Sequence, residues 1–534
     1  MTRRVTPLIL ILIMLLTITG CSGDKTAGKV IGFDIDGVPR NVDPLLAVSQ
    51  SEIAVAANCF EGLLRLDEKD DLDNGTAESY TVSADKKSYT FHLKRNLHWN
   101  DDTPLTAHDY VFGIKRALAP ETRSIYAKDL FSIVNAPAYH KGSVSSSALG
   151  IKASDDTTLT IQLSFADNEF LRNLTKLAAM PCNEAFFISC KGRYGLEKKY
   201  TLSNGPFYVK SWEAEGGKIR LNKNKKYTGE TEVKPAAINL SFKNDPDKRV
   251  DRIIGDYLDC GFVSGDKIAT IKDDSIEKSG TRKTMFYKDV YALYVNPAEN
   301  DNGDIRKSML MAVDRDALAL NITGSFLPAT GMIPTGAVYR GENYRTDAGE
   351  IQSVPYDPAK AKTLFSDTLT ALKIKKMSFS TLYYPNNESI KRIASLIAQN
   401  WKKNLGAYIN IEAVAEKELL SGVQTGKYKM ALVPLKSETN SALSYLNRFA
   451  SSSETNLFHI NSKSYDKQIA KITGTLTDKE YLSELKKAET QLLSQNYILP
   501  VFFSPTAFVS GKKLSGIFYN SNDYIQFISA GKVK

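Results

Sequence analysis

The residue pattern predicts an α/β protein built from two α/β regions and an inserted segment. Three observations carry that reading. Between residues 286 and 500 strand-like and helix-like stretches alternate, which favours a lobe with a mostly parallel sheet. The first half instead carries short strands of period two around one amphipathic helix. At about 150 residues per domain, 534 residues correspond to roughly three to four units. The 42% apolar and 24% charged content is that of ordinary globular protein, so extended disorder and fibrous repeats are excluded.

At the N-terminus, Met1-Thr2-Arg3-Arg4 precedes an apolar run from Leu8 to Leu16 and then Thr17-Ile18-Thr19-Gly20-Cys21. A charged start, a short apolar stretch and small residues before a cut site make an export signal over residues 1–20, too short for a stable membrane span. Ile18-Thr19-Gly20-Cys21 resembles a bacterial lipobox, which implies cleavage before Cys21 and diacylglyceryl modification of its thiol. The alternative is a plain leader with a chance cysteine. Two acyl chains anchor stably where one is marginal. Residues 21–29 are small and polar and suit a flexible tether.

Further along, Tyr89, Phe91 and Leu93 alternate on one face of a strand, and Asn100 to Pro104 is a turn. Thr106 and Asp109 form a capping box for a helix whose apolar stripe is Tyr110, Val111, Ile114 and Leu118, ended by Pro120. Thr158 to Leu163 alternates as a second strand. Ile390, Ile393, Ala394, Ile397, Trp401 and Leu405 have helical spacing, Gly406 fits the stop, and a strand begins at Tyr408 to Ile411. With Cys21 set aside, Cys59, Cys182, Cys190 and Cys260 lack zinc spacing. A short helix between Cys182 and Cys190 holds them about 12 Å apart, too far for a disulfide. Buried free thiols are expected.

Catalytic signatures are missing. The sequence has no Gly-x-Ser-x-Gly, His-Glu-x-x-His or Gly-x-Gly-x-x-Gly and no Gly-x-x-x-x-Gly-Lys followed by Ser or Thr, and its five histidines lack paired ligand spacing. Ser-x-x-Lys occurs at Ser83–Lys86, Ser275–Lys278 and Ser483–Lys486 without companion motifs. Glycosidase carboxylates need no fixed spacing, so that one enzyme class stays open. The net charge of +9 is spread along the chain and argues against dedicated nucleic-acid binding. No metal or cofactor is expected.

Read together, several motifs resemble the oligopeptide/dipeptide-binding family (family 5) of ABC-transporter solute-binding lipoproteins. They are Phe60-Glu61-Gly62-Leu63, the stretch from Tyr89 to Lys94 with His98 to Asp109, Asn204 to Val209, Ala312-Val313-Asp314-Arg315, Tyr356 to Ala361, and Trp401 to Gly406. Asp102 departs from the family's usual glycine. The landmarks keep the family's order from about residue 40 to 510. The resemblance implies a two-lobed periplasmic-binding-protein-like fold with a hinge. Its parts would be lobe I over 30–61 and 187–286, an α+β insertion over 62–186, lobe II over 287–502 and a return to lobe I over 503–534. A peptide would lie in the cleft as an added strand.

Carried over residue by residue, the backbone of Ser49-Gln50-Ser51 and of Val263-Ser264 would meet the peptide, and Tyr126 would face the cleft. The family's Gly-Trp-x-x-Asp element appears as Pro434 to Glu438, so Glu438 would receive the α-ammonium and Leu435 replaces an aromatic wall. Family positions that meet a short peptide's carboxylate are apolar here, at Ile390 and Leu432. The implied protein is a monomeric receptor on the outer face of the cell membrane, held by its lipid and catalysing nothing. Its partners would be a peptide, the permease subunits and their ATPases. A receptor for another solute, or one for signalling or adhesion, are the alternatives.

Overall fold

The computed structural model describes residues 29–296, 302–321, 325–351, 354–374, 381–436, 440–453, 455–472 and 477–532. The leader, Cys21 and nearly all of the tether lie outside them.

One mixed sheet runs the length of the molecule. Its strands lie in the order Asn410–Val414, Thr381–Pro385, Met430–Leu435, Arg282–Val295, Ile498–Ser510, Cys260–Ser264, Val30–Asp34, Ala237–Ser241, Lys218–Lys223 and Phe207–Glu213. Pairing is parallel around Val30–Asp34 and around Thr381–Pro385, and antiparallel elsewhere on this path. The second region is therefore mixed, not mostly parallel, because Arg282–Val295 enters it antiparallel to Met430–Leu435.

Two long strands cross from one half to the other. Arg282–Val295 and Ile498–Ser510 pair antiparallel from Arg282 opposite Ser510 to Tyr294 opposite Ile498. At one end Ala507 and Val509 join Ile253, Leu258 and Val263 in a small core. At the other, Leu293, Val295, Leu499 and Val501 pack with the helix Glu388–Leu405, while Val290, Ala292 and Phe503 pack on the opposite face with Tyr445 and Leu485. The ladder shifts register at Lys288, next to the pair Tyr287–Pro505. Proline has no N–H to give a ladder, so a bulge is where a sheet tolerates it. The boundaries expected at 286/287 and 502/503 fall inside these two strands.

The inserted segment forms a four-stranded antiparallel sheet, in the order Ala77–Val82, Ser88–Leu93, Thr158–Gln162 and Ile151–Ala153, with the helix Ala107–Leu118 against it. Tyr89, Phe91 and Leu93 point inward while His92 is exposed, as the alternation predicts. Thr106 and Asp109 close the expected capping box, with the Thr106 N–H 2.8 Å from the Asp109 carboxylate. This sheet and the flanking lobe share one continuous core, which includes Phe33, Trp99, Tyr110, Ile161 and Phe207. Asp102 has φ +78°, the left-handed turn geometry that makes glycine usual and aspartate one of the few tolerated replacements. The helix Glu388–Leu405 ends at Gly406 with φ +70°, as expected. Cys59, Cys182, Cys190 and Cys260 are buried and free.

The second lobe is pinned by one fully buried carboxylate. Glu489 accepts hydrogen bonds from the Met332 and Ile333 N–H groups at 2.7 and 3.0 Å, from Tyr344 Oη at 2.8 Å and from Arg345 Nη2 at 2.8 Å. Removing it strands a buried guanidinium and two amides. Glu489→Ala is therefore expected to cost about 3–5 kcal/mol, read as a loss of unfolding free energy in urea; a loss below about 1 kcal/mol, the worth of an ordinary hydrogen bond, contradicts this account.

Candidate functional site

The recognisable motifs turn out to be devices for joining segments. The Glu61 carbonyl accepts from Asn204 Nδ2 at 2.8 Å and Tyr110 Oη at 3.2 Å. A β-carbon on Gly205 would stand 2.7 Å from the Phe60 nitrogen, so the two motifs pack backbone to backbone. Burial pushes the Glu61 carboxyl up, and Tyr227 donates to it. Asn100 exchanges hydrogen bonds with Ser203, its N–H donating at 2.9 Å and its side chain accepting at 2.7 Å. Arg315 reaches the carbonyls of Ala329 and Pro500 at 2.9 and 3.4 Å. Ile390 and Leu432 are core residues, which explains why they are apolar.

The predicted ligand-facing residues of the first lobe share a rim at the carboxyl ends of Val30–Asp34 and Cys260–Ser264, where open α/β sheets present their crevices. Ser49 caps the helix Gln50–Cys59, and its backbone N–H donates to Glu52 at 3.0 Å. Ser49 and Gln50 are exposed, whereas Ser51 is buried and its hydroxyl donates to the Asp36 carbonyl. Gln50 and Ser51 therefore open a helix, with Ser49 extended at its cap. Asp36 pairs with Arg249 at 2.8 Å, and Arg249 donates to the Phe262 carbonyl, which connects Ser51 to the strand of Val263 and Ser264. The Tyr126 hydroxyl donates to the Ala47 carbonyl. Tyr126 is buried, so it braces the rim more than it lines an open cleft.

Val263 puts its side chain into the core and Ser264 is exposed. Their strand pairs with Ile498–Ser510 along its whole length, but with Val30–Asp34 only at Cys260 and Gly261. Beyond Gly261 no described strand covers that second edge.

From the rim the site continues to the crossing strands. The Phe262 ring meets Phe508 and Tyr519 at centroid distances of 5.1 and 5.9 Å, and Tyr519 meets Phe286 at 5.1 Å. The Lys288 ammonium stands 3.5 Å from the Tyr519 centroid and 3.0 Å from Asp523. Burial lowers the Lys288 pKa and raises that of Asp523, while their attraction opposes both shifts. Asp523 belongs to the C-terminal return, which also touches the insertion and the second lobe. The Ser521 N–H donates to Asp70 at 2.8 Å, and the Asn440 N–H donates to the Ser521 carbonyl at 3.1 Å. Arg340 lies 3.7 Å from Glu169 of the insertion and 4.3 Å from the Tyr481 centroid.

Leu435 ends Met430–Leu435 buried in the second lobe's core, opposite Val290. Glu438 lies outside the described residues. Sequence reasoning missed Phe262, Phe286, Lys288, Asp289, Tyr519 and Asp523. One signal was present: Lys288-Asp289 interrupts an otherwise apolar and aromatic stretch from Met285 to Val295. Among the described residues no cluster of three or more acidic, histidine or cysteine side chains is placed to hold a metal ion, and no helix is long and apolar enough to cross a membrane.

Comparison with known proteins agrees with this architecture. The chain is 25% identical over 512 residues to the dipeptide-binding protein DppE of Bacillus subtilis, covering 95% of this chain and 93% of that one. It is 25% identical over 552 residues to the oligopeptide-binding protein OppA of the same organism, covering 99% of each. Among solved structures, the substrate-binding domain of an oligopeptide ABC transporter from Bacillus anthracis superposes with a TM-score of 0.76 at 26% identity, covering 96% of this chain and all of that one. Residues 71–456 match the model for the bacterial extracellular solute-binding proteins, family 5, middle region. The chain belongs to the family 5 bacterial extracellular solute-binding proteins.

Proposed function

We propose that this protein is a lipid-anchored, extracytoplasmic receptor that captures oligopeptides between its two lobes and delivers them to an ABC permease. The observation that carries the peptide reading is the edge of Val263–Ser264, which no described strand pairs on the side away from Ile498–Ser510; the Phe262 carbonyl before it is taken by Arg249. A strand edge offers main-chain donors and acceptors that every peptide can meet, whatever its side chains. The relatives named for dipeptide and oligopeptide binding support the same solute class. In this reading the division is lobe I, insertion, lobe II and return, as set out from the sequence. Ser49, Gln50, Ser51, Tyr126, Val263 and Ser264 form the first lobe's side of the cleft. Leu435 and Glu438 belong to the facing side, with Glu438 as a carboxylate for the ligand's ammonium. A ligand that touches both lobes favours the closed form by its extra contacts there. ATP hydrolysis belongs to separate partner subunits, and the receptor acts as a monomer.

Mass spectrometry of small molecules released by denaturing the purified protein is expected to find peptides; recovery of non-peptide solutes alone overturns the proposal. Cys21→Ser is expected to move the protein from the membrane fraction to the soluble extracytoplasmic fraction. Retention of that variant in the membrane fraction contradicts the anchor.

A further inference from the structure

The first lobe's part of the sheet has two ends, and the rim occupies one of them. Val30–Asp34 and Cys260–Ser264 run parallel, with their carboxyl ends at the rim. At the opposite end the sheet carries a row of cations on neighbouring strands. Lys223 closes Lys218–Lys223, Lys234 precedes Ala237–Ser241 and Lys29 precedes Val30–Asp34. Lys512 and Lys513 follow Ile498–Ser510, and Arg282 opens Arg282–Val295. All six are exposed. The register keeps them at one end, because Val30 lies opposite Ala237, Ala237 opposite Asn222, and both Cys260 and Arg282 opposite Ser510. Strands about 4.8 Å apart make the row roughly 25 Å wide. Asp256 and Asp259 lie within it and are already paired, with Lys513 at 2.9 Å and with Lys532 at 2.8 Å. Among the described residues no carboxylate forms an ion pair with Lys29, Lys234, Lys512 or Arg282. Tyr257, between the two aspartates in the chain, is 83% exposed.

The partner of this face has to be anionic and within reach, and the tether selects it. Lys29 belongs to the row, and the eight steps of chain from Cys21 to Lys29 span at most about 28 Å. Resting on the lipid-anchor reading, we infer that this end of the first lobe docks on the anionic phospholipid headgroups of the membrane that holds Cys21. Anionic headgroups attract basic residues that come within a Debye length, about 10 Å at 0.1 M salt. A tyrosine, with an apolar ring and a polar tip, suits the boundary between headgroups and water. Tethering raises the effective concentration of the two surfaces, so a contact that is weak in free solution is populated once the acyl chains are in place. The strands that carry the cations at one end carry the rim at the other. A docked receptor therefore holds its rim away from the bilayer, towards the medium from which solute arrives.

The test uses the full mature chain carrying Cys21→Ser, so that no acyl chain contributes. It is sedimented with vesicles of phosphatidylcholine alone or of equal parts phosphatidylcholine and phosphatidylglycerol. Binding is expected to the phosphatidylglycerol vesicles at about 20 mM salt and to be lost at about 0.5 M, where the Debye length falls to a few ångströms. Phosphatidylcholine vesicles should bind nothing. Lys29→Glu, Lys234→Glu and Lys512→Glu together are expected to weaken binding by about tenfold or more. Their Tm should stay level, because all three side chains are exposed. Lys463→Glu, Lys467→Glu and Lys479→Glu make the same change of net charge on exposed helix positions of the second lobe and should leave binding unchanged. Equal losses in the two triple variants would reduce the attraction to net charge and overturn the assignment of this face. Equal binding to both kinds of vesicle, or none to either at low salt, also overturns it. Self-association of the chain that the Lys29, Lys234 and Lys512 changes abolish, without vesicle binding, assigns the face to a second copy and refutes the lipid surface. The contact is salt-sensitive and does not replace the acyl chains. The anchor reading therefore fails by a separate result, retention of Cys21→Ser in membranes washed at high salt.

Discussion

The ladder between Arg282–Val295 and Ile498–Ser510 is the interaction on which the other features depend. Ile498–Ser510 is buried in a different hydrophobic core at each end, while Arg282–Val295 enters both cores of the second lobe and lays Met285 against the small core of the first. Between the cores the ladder is interrupted at Lys288, beside Pro505. A bulge locally breaks the hydrogen bonding and bends the strand. The two strands therefore run on from one half to the other while their hydrogen bonding is broken at Lys288, and a second register shift follows between Tyr291 and Ala292. Asp289 and Lys288 are displayed there because the bulge re-aims their side chains.

The family's landmark motifs mostly serve packing. Phe60-Glu61-Gly62-Leu63 holds Asn204-Gly205, Asn100 holds Ser203, and Arg315 holds the carbonyls of Ala329 and Pro500. Trp401 is fully buried and donates its indole N–H to the Met309 carbonyl at 2.9 Å. Such positions tolerate little change because a lost close contact or buried hydrogen bond is destabilising wherever it occurs. Of the rim residues, Ser49, Gln50 and Ser264 are exposed and free of that packing constraint. The chain is about 25% identical to its relatives over nearly its whole length.

Buried charge inside the two lobes is matched by donors. In the first lobe Asp34 is fully buried but surrounded by Ser241, Asn244, Arg249 and Arg252. In the second, Glu489 has four donors. Buried carboxylates that are this well matched specify a local structure and are unavailable to a ligand.

Local pattern alone carried much of the architecture. The period-two strand at Tyr89–Leu93, the capping box of Thr106 and Asp109, the helix ending at Gly406 and the burial of the four thiols all depend on near neighbours or on side-chain polarity. The ordered motifs carried the family, because packing contacts preserve residue identity. Strand direction in the second lobe was misread as mostly parallel, since antiparallel entry by Arg282–Val295 leaves no local trace. Ser49-Gln50-Ser51, expected to meet a ligand through its backbone, is the opening of a helix, set by the Ser49–Glu52 cap. The site around Lys288, Asp289, Tyr519 and Asp523 joins residues more than two hundred positions apart, and Lys288-Asp289 by itself reads as a solvated pair. Whether a charge is matched depends on every group that folding brings beside it. The sequence by itself therefore determined the elements and the family, and only the tertiary structure decided which charges are matched.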